Sequence, residues 1–511
     1  MTRRDFVRVG AQGLALAAIP VVFRVNPAAA FSVPAGGDTR LSTFLDHFSV
    51  SETDIRQVMG VALERGGDFC DLFFEHRITN WVGLEDEAVN QAYSTIDLGL
   101  GIRVLEGDQS GFSFTEELTL QAMKRAARTA SRIAKETANA APEKLAFAET
   151  PDYHVIKQPW EQVGIDQKIP YLQKINSNIH SLDKRIIKSR LWFGDQTSYC
   201  MIATSDGLIV CDYRPMTQIA ASCTAEQGNQ REKNGFSLSG RQDLNFYSQV
   251  NIDRIAKEAV GRTVRLFDAV KPEAGEMEVV LAAGNSGILL HEAIGHGMEA
   301  DFNRKGISIF ADKINKKVAE DFVSIVDDGT CEHARGSLNV DDEGNNTEKT
   351  FLVENGILKS YLHDNISAKH YGVTPTGNGR RQSFRYPPMP RMRCTYMLPG
   401  PHTKDEIIAS CKKGIYAESF NNGEVHIGAG DFTFYVNSGN LIENGKLTAP
   451  IKDINIIGNG PEVLRNIVMV GDDPRLAEGG GMCGKNGQGV PTSMGLPTAK
   501  VSAITVGGVS S

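Results

Sequence analysis

The chain has 511 residues, which is long enough for two or three domains. Hydrophobic residues make up 41% of the sequence and charged residues 23%, as in an ordinary soluble globular protein. The net charge of -8 argues against a nucleic-acid-binding protein, and no basic tract contradicts it. Eight cysteines are scattered without a C-x-x-C pair, so the chain is not a disulfide scaffold.

The first thirty residues have the pattern of an export signal. Paired Arg3-Arg4, followed by a spacer and Phe6, resemble the twin-arginine motif, and an apolar run extends from Gly13 to Phe23. Small residues then end at Ala30. We predict a signal peptide over residues 1–30, cleavage after Ala30 and a periplasmic or exported mature protein. No other stretch approaches the ~20 apolar residues of a membrane helix, so we expect no stable membrane span after signal removal.

Apolar periodicity predicts mixed helices and strands in the first 270 residues. Helical spacing is found in Asp54–Arg65, Thr119–Ala134, Ile169–Ile179 and Ile252–Phe267. Strand patterns cover Asp71–Glu75, Ile96–Val104 and a hairpin over Ser198–Val210 that turns at Asp206-Gly207. A third strand is predicted over Met216–Thr224.

A different pattern begins near Pro272. Met277–Ala282 is a short apolar strand, and Gly284-Asn285-Ser286 is positioned to cap a helix that follows it. After Asp301 strand and turn patterns dominate, with turn signals at Asn355-Gly356, Asn422-Gly423 and Asn444-Gly445.

The helix after this strand carries His291-Glu292-Ala293-Ile294-Gly295-His296. Neutral imidazole is the commonest protein ligand of zinc, and a carboxylate beside two ligands can act as a general base. In H-E-x-x-H the histidines lie about 40° apart around a helix, whereas this spacing of five places them roughly 140° apart. Both rings can reach one ion only if the helix loosens, widens by one residue or ends between them. Gly295 marks the position where a break costs least. The alternative is a buried helix with two hydrogen-bonded histidines.

A catalytic zinc usually has three protein ligands, so a third must come from elsewhere. The candidates are Glu299, Asp301, Cys331, His333 and Cys483. Cys483 has the most favourable context because glycines flank it, and Lys485 would favour its thiolate if it lies close in space. An ordinary buried cysteine in a glycine-rich turn fits the same pattern, and the sequence spacing does not distinguish a zinc ligand from such a cysteine.

Five motifs in order resemble the TldD branch of the TldD/PmbA metallopeptidases, and the resemblance covers most of the chain from about residue 50. They are His291–His296, Asp341-Asp342-Glu343-Gly344, Pro375–Ser383, Arg391-Met392 and Cys483–Gln488. Arg393-Cys394 stand where the family more usually has Thr-Asn.

The resemblance implies zinc held by His291, His296 and Cys483, with Glu292 as the catalytic base. Because the two histidines and the cysteine form one open three-ligand set, we expect one zinc per chain. The resemblance also implies zinc-dependent hydrolysis of peptide bonds in unfolded or extended polypeptides, by a homodimer or a heterodimer with a PmbA-like subunit. The alternative function is a metal-stabilised binding or scaffold protein without hydrolytic activity. Substrate-binding residues are not identified. Asp341, Asp342, Glu343, Arg380 and Arg381 could bind peptide termini or pair with one another, and we favour pairing.

These patterns together predict an α+β protein. An N-terminal mixed α/β region is followed by a mostly antiparallel β C-terminal domain that carries the zinc site. We predict an N-terminal α+β region over 31–142, a central α+β region over 143–270 and a C-terminal metallopeptidase domain over 271–511.

Overall fold

The computed structural model describes residues 39–508 apart from 86, 136 and 137. The predicted signal peptide, residues 1–30, lies outside the described residues. Within those residues, no helix combines the length and the apolar character needed to cross a bilayer.

The first half of the chain is built on one sheet of seven strands. Its elements in chain order are α1 (Leu41–Phe48), α2 (Glu52–Ala62), β1 (Phe69–Glu85), β2 (Ala88–Glu106), β3 (Gln109–Thr115), α3 (Leu120–Ala130), β4 (Ala146–Phe147), α4 (Ile165–Leu182), β5 (Ile186–Thr204), β6 (Leu208–Gln227), β7 (Gln230–Gly240) and α5 (Gln249–Val264). The strand order is β3-β2-β1-β5-β6-β4, and β7 also pairs with β6. β1 pairs with β5 from Asp71↔Thr204 to Glu85↔Arg190. Strands from the predicted 31–142 and 143–270 regions therefore share a sheet, and the domain boundaries stay predictions.

Helices cover this sheet through two apolar clusters. Met123, Ala127 and Ala130 of α3 join one buried cluster, which also includes residues of α1 and α2. Ile175 of α4 and Ile255 of α5 join the other. The helical spacing of apolar residues predicted these buried faces correctly, because one face of each helix must leave water to pack on the sheet.

The predicted hairpin is confirmed, but its extent was wrong. Gly207, at a φ of 88°, lies in the turn between β5 and β6. Met216–Thr224 is not a separate strand, since it continues β6. Asp212 and Arg214 interrupted the apolar pattern, yet both are buried because they pair with each other at 2.5 Å.

The second half contains most of the remaining strands. Its elements are β8 (Gly275–Leu281), α6 (Ile288–Leu290), α7 (Ala300–Arg304), β9 (Ile325–Asp328), β10 (Lys349–Glu354), β11 (Ile357–Leu358), α8 (Asn365–Tyr371), β12 (Gly379–Arg380), β13 (Met389–Pro390), β14 (Cys394–Met397), α9 (Lys404–Ala409), β15 (Lys413–His426), β16 (Asp431–Glu443), β17 (Lys446–Pro450), β18 (Ile454–Asn459), α10 (Gly460–Arg465), β19 (Ile467–Val470), β20 (Arg475–Leu476), β21 (Gly481–Lys485), β22 (Gln488–Leu496) and β23 (Ala499–Gly508).

These strands form two further seven-stranded sheets and one two-stranded sheet. One sheet has the order β11-β10-β9-β14-β22-β20 with β21 on β22, and the other has the order β15-β8-β23-β18-β16-β17 with β19 on β23. Most pairings are antiparallel, and β14–β22 and β15–β8 are parallel. The predicted α+β class with a mostly antiparallel C-terminal part is confirmed.

Two of the predicted Asn-Gly turns are present, and one is not. Asn355-Gly356 joins β10 to β11, and Asn444-Gly445 joins β16 to β17, with positive φ at all four residues. Asn422-Gly423 instead lies inside β15, where the register with β16 is irregular. Glycine supplies the conformational freedom that an irregular strand needs as well as the freedom that a turn needs. The Asn-Gly pattern therefore predicted a turn where the chain has an irregular strand.

Candidate metal centre

The two histidines lie on a helix that widens between them. α6 ends at Leu290, His291–Gly295 form a π-helix, and His296–Met298 form one 3₁₀ turn. The backbone N–H of His296 donates to the carbonyl of His291, five residues earlier. The ring centroids of the two histidines are 5.1 Å apart. Widening by one residue, one of the three ways the sequence allowed, therefore brings both rings to the same side.

Gly295 contributes in a different way from the one predicted. Its φ is -59°, so the chain does not break there. A Cβ on Gly295 would overlap Sδ of Met392. The glycine is needed because Met392 packs directly on the helix backbone, and sequence spacing could not reveal this long-range contact.

The predicted capping of this helix by Gly284-Asn285-Ser286 is wrong. A short 3₁₀ turn, Asn285–Gly287, leads into α6, and neither helix start has a side-chain cap. The Ser286 hydroxyl donates to the carbonyl of Ala417 at 2.8 Å. That buried carbonyl on β15 competes successfully for the hydroxyl.

Cys483, on β21, completes a group of three possible metal ligands. One ligand atom from each of His291, His296 and Cys483 lies within 4.8 Å of the others. Sγ of Cys483 is 3.4 Å from Nε2 of His296. Donors bonded to one tetrahedral zinc lie roughly 3.3–3.8 Å apart, given Zn–N and Zn–S bonds of about 2.1 and 2.3 Å. The three side chains thus fit a zinc ion with modest adjustment.

The protonation of these donors also suits a metal. Both ring nitrogens of His291 are buried without a hydrogen-bond partner among the described residues. Burial opposes ionisation of the Cys483 thiol, but the charges of His291 and His296 outweigh it and hold its pKa well below the usual range. Zinc binds the thiolate and the neutral imidazole, so the ion would replace the positive charge that the two rings supply to the thiolate in its absence.

The other four candidates for the third ligand have different partners. Glu299 accepts a hydrogen bond from Nδ1 of His296 at 3.0 Å, and Asp301 accepts one from Lys485 at 2.7 Å. His333 contacts the carbonyl of Arg241 through Nδ1, and the half-buried Cys331 interacts with the thiol of Cys394. In the part of the chain that the structure describes, His291, His296 and Cys483 form the cluster suited to a metal.

Lys485 does not act on Cys483 as the sequence suggested. Its ammonium group lies 3.0 Å from Glu299 and 2.7 Å from Asp301, and it also donates to the carbonyl of Pro390. Lys485 therefore neutralises the carboxylate that orients His296, while the two imidazoles stabilise the thiolate.

Glu292 lies beside the candidate metal ligands and is partly exposed to solvent. Its carboxylate is 3.7 Å from Nε2 of His296, and its side chain is 20% exposed against 5% for His296. A carboxylate next to the ligand set and open to water has the position that a general base requires.

Among the described residues the acidic and basic motifs form no ion pairs with each other, since Asp342 pairs with Arg214, Glu343 with Arg103 and Arg381 with Asp71. Hydrogen bonds connect the motifs instead. Asp342 accepts from the backbone N–H of Arg381 at 2.7 Å, and Asp341 accepts from that of Gly379 at 3.0 Å. These bonds join the two loops. Arg380, in contrast, donates to the carbonyls of Met392 and Pro491 and forms no ion pair among the described residues.

The Arg391–Cys394 segment also contacts the centre, which the sequence did not reveal. Arg391 is fully buried and donates to the carbonyl of Cys483, so it holds the strand that carries the thiol. The unusual Arg393 is equally buried and pairs with Asp327 at 2.8 Å. The Arg391-Met392 motif was the sequence signal for this segment. The partners of the segment, Cys483 and Asp327, lie far away along the chain, so the sequence did not identify them.

Fold and ligand geometry together define an α+β protein with a buried two-histidine, one-cysteine cluster on a widened helix. Family models match three parts of the chain, described as PmbA/TldA metallopeptidase domain 1 over 70–134, central domain over 158–267 and C-terminal domain over 274–508. The chain belongs to the PmbA/TldD metallopeptidase family.

Similar proteins agree with this assignment. A protein named metalloprotease TldD homolog from Buchnera aphidicola is 37% identical over 474 residues, which cover 91% of this chain and 98% of that protein. A zinc metalloprotease TldD homolog from Saccharolobus solfataricus is 29% identical over 450 residues, covering 88% and 98%. The crystal structure of TldE from Thermococcus kodakarensis matches the fold with a TM-score of 0.70 at 19% identity, covering 89% of this chain and 99% of that one.

Proposed function

We propose that this chain is a zinc-dependent metalloprotease that hydrolyses peptide bonds in unfolded or extended polypeptides. The π-helix is the observation on which the proposal rests. It brings His291 and His296, which are five residues apart, to the same side of the helix, where Cys483 supplies a third possible ligand. The relative named as a zinc metalloprotease supports the choice of metal. One zinc per chain follows from one three-ligand set.

A groove lined by residues of α6 and β21, the elements that lead to His291 and Cys483, supports an extended substrate; the three candidate ligands themselves do not line it. A cavity of about 600 Å³ is lined by Ile288, one helical turn before His291, and by Gly479–Gly481, just before Cys483. Aromatic side chains of Trp192, Phe236 and Phe420 line it as well. Such a groove can accept apolar side chains of a polypeptide that has lost its own core.

The residues of the chain divide the chemistry among them. Zinc, when bound, polarises the attacking water and the scissile carbonyl. His291, His296 and Cys483 hold it, and Glu299 fixes the orientation of His296. Glu292 accepts the proton of the water and returns it to the leaving amine. We further propose that the chain works as a homodimer or beside a PmbA-like subunit.

Metal content and hydrolysis, measured on the same samples, test this proposal. Purified protein should contain about one zinc per chain and should generate new amino termini in a denatured polypeptide. Cys483→Ala and His291→Ala should each lower zinc content and hydrolysis, because each removes one of three donors. Cys223→Ala, at a buried cysteine outside the cluster, is the matched control. Full zinc occupancy in Cys483→Ala would assign the third ligand elsewhere.

A further inference from the structure

A second cavity, which we call the arginine pocket, has an unusual wall. It encloses about 390 Å³ and is lined by residues of the first sheet and of the C-terminal half. Its cationic lining residues are Arg77, Arg214, Arg241, Arg335, Arg380 and Arg381. Glu75 and Asp342 are the carboxylates that line it, so positive charge is in excess.

Three of the arginines have carboxylate partners. Arg77 pairs with Glu75 at 2.5 Å, Arg214 with Asp342 at 2.5 Å and Arg381 with Asp71 at 2.9 Å. Arg214 also pairs with Asp212 at 2.5 Å, so four carboxylates contact these three cations and the six arginines together keep an excess of two positive charges.

The other three, Arg241, Arg335 and Arg380, form no ion pair with any described carboxylate. Arg241 is 3% exposed, its Nε has no partner, and its guanidinium donates to the carbonyl of Pro215 at 3.4 Å. Arg335 donates to the carbonyl of Gly481, and Arg380 donates to those of Met392 and Pro491. Carbonyl groups satisfy hydrogen bonds but do not neutralise charge.

This grouping of cations is costly without an anion. Burial, together with the positive charges of Arg214 and Arg380, lowers the pKa of Arg241 to about 9. Burial likewise lowers the pKa of Arg335 and of Arg380 to about 10. Buried groups of like charge that are not neutralised locally mark a site where a ligand supplies the opposite charge.

The arginine pocket adjoins the strand that carries Cys483. Met482, Gly489 and Pro491, all on the β21–β22 hairpin, line it. Arg335 donates to the carbonyl of Gly481 at 3.1 Å, and the Cys483 charge acts on Arg380. A ligand in the pocket therefore contacts the hairpin that supplies the third metal ligand.

We propose that the arginine pocket binds a carboxylate of the peptide substrate, either its C-terminal carboxylate or that of an Asp or Glu side chain. Planar guanidinium forks match the geometry of a carboxylate and can donate two hydrogen bonds to it. This inference rests on the proposed peptidase function, because it makes the pocket a specificity site for the same substrates.

Binding to the zinc-loaded Glu292→Gln protein tests the inference without turnover. Calorimetry would compare one peptide as its C-terminal acid and as its C-terminal amide, and a second pair that differs by Glu against Gln near the end. We expect a carboxylate to tighten binding roughly tenfold or more, and the responding pair identifies its source.

Substitutions at two arginines distinguish a loss of carboxylate binding from a loss of folded structure. Arg241→Met, made in the Glu292→Gln protein, should abolish the carboxylate preference, keep the zinc and raise the thermal midpoint, since it removes an unneutralised buried cation. Arg335→Gln, at a less buried arginine, should also weaken the preference. Arg128→Met, which removes an exposed charge on α3, is the matched control and should change neither property.

The outcomes separate this inference from the proposed function. Equal binding of acid and amide peptides in both pairs would overturn it, even if wild-type protein hydrolyses polypeptides. A carboxylate preference that persists unchanged in Arg241→Met and Arg335→Gln would overturn it too. A preference lost in both variants, in a protein whose wild type hydrolyses nothing, would support the pocket and refute the peptidase.

Discussion

His296 shows how neighbouring charges orient a candidate metal ligand. Burial raises the pKa of Glu299, but Lys485 and His296 outweigh this effect and bring it to about 2. Glu299 therefore stays ionised and accepts the Nδ1 proton of His296. In the neutral ring that a metal requires, this bond keeps the proton on Nδ1 and leaves Nε2, 3.4 Å from Sγ of Cys483, as the ligand atom.

A buried histidine outside the metal cluster gives a test of linkage between protonation and folding. His363 is 4% exposed, and burial lowers its pKa to about 4, although Asp364 opposes the shift. The unfolded chain binds the proton near pH 6.5, whereas the folded chain resists it down to about pH 4. The stability that this histidine contributes is complete above about pH 6.5 and is lost progressively as the pH falls from about 6.5 to about 4.

We predict that His363→Gln makes the free energy of unfolding less sensitive to acid. Between about pH 7 and about pH 5 the wild type should lose roughly 1–2 kcal/mol more than the variant. Urea unfolding at both pH values measures this difference. An identical loss in the two proteins would show that His363 takes up its proton equally in the folded and unfolded chains.

At the scale of elements, the sequence predicted the helices and turns that follow from local residue patterns. Apolar spacing located α2, α3, α4 and α5, and Asn-Gly located two hairpins. The widened helix was foreseen as one of three options, because two histidines five apart cannot otherwise share an ion. The contact of Gly295 with Met392 and the orientation of His296 by Glu299 with Lys485 were not foreseen. They depend on the packing of distant segments, which spacing does not encode.

The packing of Met392 on Gly295 predicts a specific pair of substitutions. Gly295→Ala should lower the thermal midpoint and the zinc content, at a cost of about 1–3 kcal/mol, because the new Cβ overlaps the methionine sulfur. Adding Met392→Ala should remove the overlap and recover part of the zinc content. Scanning calorimetry and elemental analysis measure both effects.

Gly261→Ala is the matched control for this pair. Gly261 lies in α5, and a Cβ there meets nothing within 4 Å. The substitution should be neutral or stabilising by roughly 0.5–1 kcal/mol. Effects of Gly295→Ala and Met392→Ala that simply add would show that the two residues do not clash.

At the scale of the whole molecule, buried ion pairs fasten the first sheet to the C-terminal half. Asp71 on β1 contacts Arg103 at 2.6 Å and Arg381 at 2.9 Å, and Arg103 also pairs with Glu343 at 2.7 Å. All four side chains are 0% or 1% exposed. The loops beside the arginine pocket are therefore held in place by charges on the sheet.

We predict that Asp71→Asn destabilises the protein strongly. It leaves the buried charge of Arg381 without its ion-pair partner and leaves Arg103 with Glu343 alone, at a cost of roughly 3–5 kcal/mol. Glu226→Gln breaks the exposed pair with Arg231 and should leave the free energy of unfolding nearly unchanged. Similar unfolding curves for the two variants would contradict a fastening function of Asp71.

The central claim is that Glu292 is a base beside a metal and not one of its ligands. Its carboxylate lies next to His296 and keeps 20% of its side chain exposed, whereas His291, His296 and Cys483 form the buried ligand set. Glu292→Gln keeps the shape of the side chain and removes the group that accepts a proton.

The most direct measurement is therefore the zinc content and the peptide-bond hydrolysis of Glu292→Gln, made on one preparation beside wild type. We predict wild-type zinc content and a loss of hydrolysis of roughly 10²–10⁴-fold. Wild-type hydrolysis by fully zinc-loaded Glu292→Gln would contradict the mechanism.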